Sequence, residues 1–282
     1  SRFGKPGYRL QANDVFLENR LTRPRFGTRG GTFDSLTGAP FVTGTPWVTS
    51  LNNTFLIGDF PLLYTPYLSA PAENPNVPLR RASAKYDRIF GGQLKTTWNL
   101  FQLLGWDEPP GTQWDLMADI YTSRGPAIGT GGKYAGSDLF GVEGTYFGEG
   151  LAYYILDDGE DNLGLGRRNL SPEQNDRGRI QLRHRQNLPY NVTVLAELGY
   201  LSDRNFLEQY YENEFDENKD VETLLYGKQQ VDNWAWTFLT RPQVNDFTTT
   251  TAWLPRGDLF SLSEPLLGGL LTWSSHTSAG YA

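Results

Sequence analysis

Cysteine is missing from all 282 residues, methionine occurs once and histidine only twice. Without thiols the chain has neither a disulfide framework nor a thiolate metal site, and it carries no mark of a redox compartment. The two histidines, His184 and His276, each sit in a strand-like pattern, which is the setting of a structural histidine. No Gly-x-Ser-x-Gly turn presents a serine nucleophile, so catalytic residues are not expected and the chain is read as a non-enzyme. Long apolar runs are absent too. None approaches the roughly 18 to 20 residues of a spanning helix, so contact with a bilayer requires a barrel or a peripheral domain. The formal charge of -7, from 25 basic and 32 acidic residues without a basic run, speaks against DNA or RNA as a partner.

What the chain does have is 14% aromatic residues and 31 glycines, at a mean hydropathy of -0.49. Aromatic and β-branched residues favour strands, and the composition predicts an all-β protein. The length allows one large or two ordinary domains. The run from Tyr8 to Asn19 is strand-like with a slip in phase between Ala12 and Val15, which predicts a bulge or short turn at Asn13-Asp14. A Gly-, Thr- and Arg-rich loop over 22–31 precedes short strands at 41–50 and 53–57.

From Ile57 to Pro71 the prolines Pro61, Pro66 and Pro71 recur at five-residue spacing among large apolar residues. Proline cannot complete a ladder, so this is either an edge strand leading into a loop or the rim where one β body gives way to another. After the linker 72–80, strands are predicted at 93–103, 113–121, 139–147, 151–156, 178–188, 191–201, 222–230, 233–240, 247–254 and 269–276, with 206–215 open between helix and strand. In the hairpin 179–200, Arg179, Gln181, Arg183 and Arg185 point one way, and Ile180, Leu182 and His184 the other. Val192, Val194, Ala196, Leu198 and Tyr200 form the apolar row of its second arm. Such alternation fits a lipid-facing barrel strand and a soluble sandwich equally.

Gly129-Thr130-Gly131-Gly132 lacks the lysine of a phosphate loop and reads as turn glycine. Asp157-Asp158-Gly159-Glu160-Asp161 has the oxygens for a hard cation without the spacing of a calcium loop, and reads as a solvated hairpin loop. Asp115 and Asp119 share a strand face without forming an acid and base pair. No metal or cofactor is expected. Arg179, Arg183 and Arg185 suit phosphate groups through charge-assisted bonds; the competing reading pairs them with Glu197, Glu143 or Glu149 on neighbouring strands.

The pattern Gly58, Pro61, Leu63, Tyr64, Pro66, Tyr67 and Pro71 resembles the end of the periplasmic domain in the LptD/OstA family, the lipopolysaccharide-assembly proteins of the Gram-negative outer membrane. Further matches follow in the family's order: Ser123-Arg124-Gly125 with Tyr134, Arg177-Gly178-Arg179 with His184, Ser202-Asp203 with Phe206, and Trp253-Leu254-Pro255. The lack of cysteine departs from many family members. The resemblance implies the end of a β-jelly roll over residues 1–78, followed by antiparallel strands of a partial outer-membrane β-barrel over 79–282. Too few residues precede the linker for a whole jelly roll, and the start at Ser1 without a leader implies processing or an internal cut. It further implies transport of lipopolysaccharide, or a related glycolipid, into the outer leaflet. Phe55, Ile57, Phe60, Leu62, Tyr64 and Tyr67 would shelter acyl chains, and Arg179, Arg183, Arg185 and Glu197 would line a polar lumen. Implied partners are the bilayer, a periplasmic bridge protein and a plug lipoprotein. A general porin and a soluble β-sandwich binding module are the alternative readings.

Overall fold

The computed structural model describes residues 8–21, 44–57, 60–72, 78–217 and 221–282. The chain divides into two compact units, 1–80 with 98–108, and 81–97 with 109–282. The division therefore falls close to the linker, while the stretch 98–108 groups with the first unit.

In the first unit β1 (Tyr8–Gln11) and β2 (Asp14–Leu21) lie end to end along β3 (Gly44–Ile57), whose other side pairs with β4 (Phe60–Pro71). Gln11 faces Thr54 and Asp14 faces Leu51, so partner numbers sum to 65 on both sides of the break (11 + 54, 14 + 51). Of the bulge or short turn expected at Asn13-Asp14 the bulge is absent: the strand is interrupted at Ala12-Asn13, with a bend at Asn13 and its register kept, opposite Asn52 in the left-handed region at φ 53°. The bulge of this sheet lies instead in β4, between the Phe55–Leu63 and Leu56–Pro61 rungs. Among the described residues β4 pairs only with β3, an edge position that tolerates its three prolines. Trp47, Phe55, Leu56, Leu68 and Ala70 are buried. The strand expected at 93–103 stops at Asn99, because the Asn99 side chain accepts from the Gln102 amide and starts helix α1 (Leu100–Leu104), which Gly105 closes at φ 67°.

The second unit is an antiparallel meander of eleven strands: β5 (Leu79–Asp87), β6 (Gly91–Asn99), β7 (Thr112–Tyr121), β8 (Gly125–Ser137), β9 (Thr145–Leu156), β10 (Asp176–Leu188), β11 (Val192–Leu201), β12 (Leu224–Val231), β13 (Trp234–Arg241), β14 (Trp253–Leu266) and β15 (Leu271–Gly280). Between β11 and β12 the ambiguous stretch forms two helical turns, α2 (Phe206–Tyr210) and α3 (Glu212–Asp216). The protein is thus all-β, and among the described residues the sheet is open, with β5 and β15 at its edges. In an alternating meander of eleven strands the first and last run the same way, so these edges cannot join as an antiparallel pair.

Several strand expectations need correction. Gly129 to Gly132 is not a turn but the middle of β8. A Cβ on Gly132 would lie 2.0 Å from the Gln113 carbonyl oxygen, and one on Gly129 would lie 2.7 Å from the Tyr153 ring. Glycine here serves close strand approach and aromatic cover. Gly132→Val is expected to disrupt the β7–β8 pairing, by more than the ~1–3 kcal/mol of ordinary overpacking, read as a lowered denaturant midpoint. The two strands expected at 139–147 and 151–156 are one, β9, with the turn displaced to 138–144. Residues 247–252 are irregular, and β14 begins at Trp253.

Residues directly opposite in neighbouring strands share a face. Arg183 faces Glu149 and Glu197, whereas Val194 faces Gln186 and Gly227, so Arg183 and Val194 lie on opposite faces. The face of Arg183 carries Asp115, Lys133, Glu149, Glu197, Lys228 and Asp258. The other carries Ile120, Ile128, Tyr154, Ile180, Leu182, Leu198, Tyr200, Leu225, Phe238 and Leu259, each more than a third exposed. One side of this sheet is polar and the other is a broad, uncovered apolar surface.

Candidate functional site

At one end of the polar face the connection 157–175 and the α2–α3 segment fold onto the sheet. Tyr121, Ala127, Tyr153, Ile155 and Leu201 of the strand ends bury Phe206 and Leu207 of α2 in a common core. Tyr153 donates to Asp119 (2.9 Å) and shares a 3.0 Å hydrogen bond with the Tyr121 hydroxyl. Asp115 and Asp119 do share a strand face, and Asp119 serves these tyrosines and the Thr96 amide.

Beneath the connection lies a buried charge cluster. The Arg177 guanidinium, with 0% of its side chain exposed, donates to Asp203 through Nε (2.9 Å) and Nη2 (2.8 Å), and through Nη1 to Asp157 (2.8 Å) and Asp161 (2.6 Å). Arg124 reaches Asp157 at 3.3 Å and Asp161 at 3.8 Å. Two cations thus face three carboxylates. The remaining oxygen sites accept from the Tyr210 hydroxyl (2.7 Å), the Gly159 and Asn205 amides (3.0 Å each) and the Asn205 side chain (3.1 Å). Burial pushes the Asp157 carboxyl up, but the hydrogen bonds from Tyr210 and Gly159, the charge of Arg124 and the hydrogen bond from Arg177 outweigh it and hold it below the usual carboxylate range. The Tyr210 hydroxyl is pushed up, by burial first and then by Asp157.

The acidic stretch 157–161 is accordingly solvated only in part: Asp158 and Glu160 are exposed, whereas Asp157 and Asp161 are 0% exposed, because two strand-end arginines arrive beneath them. Guanidinium is the cation these oxygens collect. Asp203 accepts from the Asn205 amide ahead of it, while Ser202 Oγ reaches back across the hairpin to the Gly178 amide (2.9 Å). Arg124-Gly125, Arg177-Gly178 and Ser202-Asp203, far apart in sequence, meet in this one cluster. Sequence reasoning missed it. The available signal was two arginines preceding glycine at strand starts, with an acidic run between them.

Beside the cluster α3 covers a chamber of about 340 Å³. Met117, Lys133, Glu149, Gln181 and Arg183 line it from the sheet, and Leu207, Glu214, Glu217 and Val221 from the covering segment. Across neighbouring strands Lys133, Glu149, Arg183 and Glu197 alternate in charge, with contacts of 3.7, 3.3 and 3.8 Å. Arg179 is buried, stacks on the Tyr211 ring 4.3 Å from its centroid and pairs with Glu214 of α3 at 2.8 Å. Arg185 packs beside Phe147 and donates to Asn187 at 3.3 Å. The three arginines share a face and differ in their partners: Glu214 for Arg179, Glu149 and Glu197 for Arg183, and Asn187 for Arg185.

In the first unit, Phe55 and Tyr67 share one face of the sheet and Tyr64 lies on the other, since Phe55 faces Leu63, Tyr67 faces Leu51 and Tyr64 faces Thr54. Tyr64 is exposed and donates to Asn52 at 2.6 Å. The six residues expected to shelter acyl chains are therefore not all on one side. The side chains of Ile57, Phe60 and Leu62 lie outside the described residues. His184 bonds the Tyr134 hydroxyl at 2.9 Å and stacks on Tyr134 and Tyr146, and His276 bonds Asp258 at 2.9 Å and stacks on Phe260.

A scan of family models finds none that matches this chain, and a search of curated proteins finds no match either.

Proposed function

We propose that the eleven-stranded sheet is part of an outer-membrane β-barrel and that the chain belongs to a lipopolysaccharide exporter of the LptD type. The observation that carries this reading is the two-faced sheet. Apolar side chains more than a third exposed recur on one side of nearly every strand from β7 to β14. An uncovered apolar patch of that breadth is a liability in water and is the normal outer surface of a barrel in lipid. Tyr154 and Tyr200 stand towards one end of that face, and Tyr134 and Tyr146 towards the other, as an aromatic girdle would. The two longest connections, 157–175 and 202–223, leave the same end of the sheet, which in such barrels is the extracellular one.

In this reading β1 to β4 are the end of a periplasmic jelly roll that holds acyl chains, and the polar face handles the sugar headgroup. The bilayer, a periplasmic bridge protein and a plug lipoprotein are the proposed partners. A soluble sandwich would leave the apolar face unexplained, and a porin would not need the first unit. Photo-crosslinking in the intact exporter tests the assignment. A benzophenone side chain at Tyr67, on the Phe55 face, is expected to label lipopolysaccharide several times more strongly than one at Tyr64 on the opposite face. Equal labelling, or none, would return the chain to the porin class, where ion conductance would be the property to measure.

A further inference from the structure

We propose that Arg179 is an anion site held shut by α3, with Glu214 standing where the phosphate monoester of a ligand binds. Four observations converge on it. Arg179 is 2% exposed, yet its Nη1 has no hydrogen-bond partner, a costly state for a buried charged donor. Its Nη2 is engaged by Gln181 and Glu214, both of which line the chamber.

The covering segment is weakly seated. No residue of α3 is buried, whereas α2 buries Phe206, Leu207 and Gln209. Tyr211, at φ -136° and ψ 48°, breaks the helix between them and supplies a hinge. Its ring stays packed on Tyr153, Phe206 and Arg179, so movement would begin after it. Among the described residues the salt bridge from α3 to the sheet is Arg179–Glu214.

The charge balance favours exchange. With α3 in place the charged groups lining the chamber are Lys133 and Arg183 against Glu149, Glu214 and Glu217, that is 2 - 3 = -1. Removing Glu214 and Glu217 leaves 2 - 1 = +1 and takes from Arg179 its carboxylate partner. The segment thus closes the chamber to anions, and its displacement opens a site of positive charge whose first ligand is a planar guanidinium. Guanidinium pairs with phosphate through two parallel bonds, which a single carboxylate oxygen of Glu214 does not satisfy. Arg183, already placed between Glu149 and Glu197, is the weaker anion ligand.

The inference rests on the proposed function only for the carrier of the phosphate. Its test uses the full-length protein in detergent, with a spin label at Asn213 on α3. Inorganic phosphate should raise the label's mobility. Glu214→Gln should bind phosphate about tenfold more tightly, the worth of one charge-assisted bond, with the label mobile before any ligand is added. Arg179→Lys, which keeps the charge and removes the planar fork, should lose the response with the denaturant midpoint of the parent kept, while Lys228→Gln, on the same face but outside the chamber, should keep it. Unchanged affinity in Glu214→Gln, or equal binding by Arg179→Lys and the parent, would overturn the site. A phosphorylated glycolipid that moves the label where its dephosphorylated form does not places the phosphate on the lipid headgroup. A response to inorganic phosphate with neither glycolipid active keeps the anion site and counts against the export reading.

Discussion

Replacing Arg177 with methionine is expected to destabilise the second unit by about 3–5 kcal/mol, the cost of stripping the partner from buried carboxylates. Arg177 donates to Asp157, Asp161 and Asp203, and all three carboxylates are 0–1% exposed. Without it they keep one cation, Arg124, whose nearest approach is 3.3 Å and whose Nε and Nη2 have no partner. Methionine has room for the stem of arginine and no donor, so it isolates the charge from the volume. The first consequence should be release of the start of the 157–175 connection, because Asp157 and Asp161 anchor it there, while Asn162, Gly164 and Arg167 bond to α2 further along. Limited proteolysis should cut this connection in Arg177→Met and spare it in the parent, and the denaturant midpoint should fall with it. Adding Asp161→Asn and Asp203→Asn should recover part of the loss by removing two unpaired charges. A loss below about 1 kcal/mol, the range of an exposed pair, would mean that the cluster decorates a segment held by the Phe206 core alone.

How far this was legible depends on the range of the interactions. Period-two alternation is a local property, so the hairpin of β10 and β11, its two faces and its arginine row could be read from 22 residues of sequence. Edge placement of β4 was legible for the same reason, since three prolines restrict pairing wherever they occur. The glycines of β8 misled because their role is set by neighbours: Gly132 is required by the backbone of Gln113 on β7, and Gly129 by the Tyr153 ring on β9. Reading them as a turn followed the rule that glycine punctuates. The acidic run misled likewise. Burial of Asp157 and Asp161 depends on Arg124 and Arg177, which come 33 and 16 residues away along the chain, and nothing local to the run announces them. The site residues show the same division. Arg183 and Glu197 face one another, as alternation and hairpin register require, whereas the partner of Arg179 is Glu214 on a helical turn that no strand pattern could supply.

Leu198→Arg is expected to cost about 2–4 kcal/mol in a bilayer, the price of an arginine near the middle of a lipid-facing strand. Leu198 lies opposite Leu182 on the apolar face, between the level of Tyr200 and that of His184 with its stacked tyrosines. It is 41% exposed, so packing against the rest of the protein would not by itself reject a longer side chain. The two readings of the face therefore give different numbers. If water covers it, the substitution replaces an exposed leucine by a soluble side chain and should fall within about 0.5 kcal/mol of neutral. If lipid covers it, a buried charge must find water or a headgroup, and assembly suffers. Thr193→Arg on the polar face of the same strand is the control, since Thr193 faces Asn187 and Lys228 rather than the apolar row. Folding into vesicles, followed by heat-modifiable gel migration across a denaturant series, gives both free energies from one assay. A large loss for Leu198→Arg with a small one for Thr193→Arg is the result expected of a barrel wall. Near-neutral values for both would remove the membrane from the account and leave the apolar face to be covered by another protein.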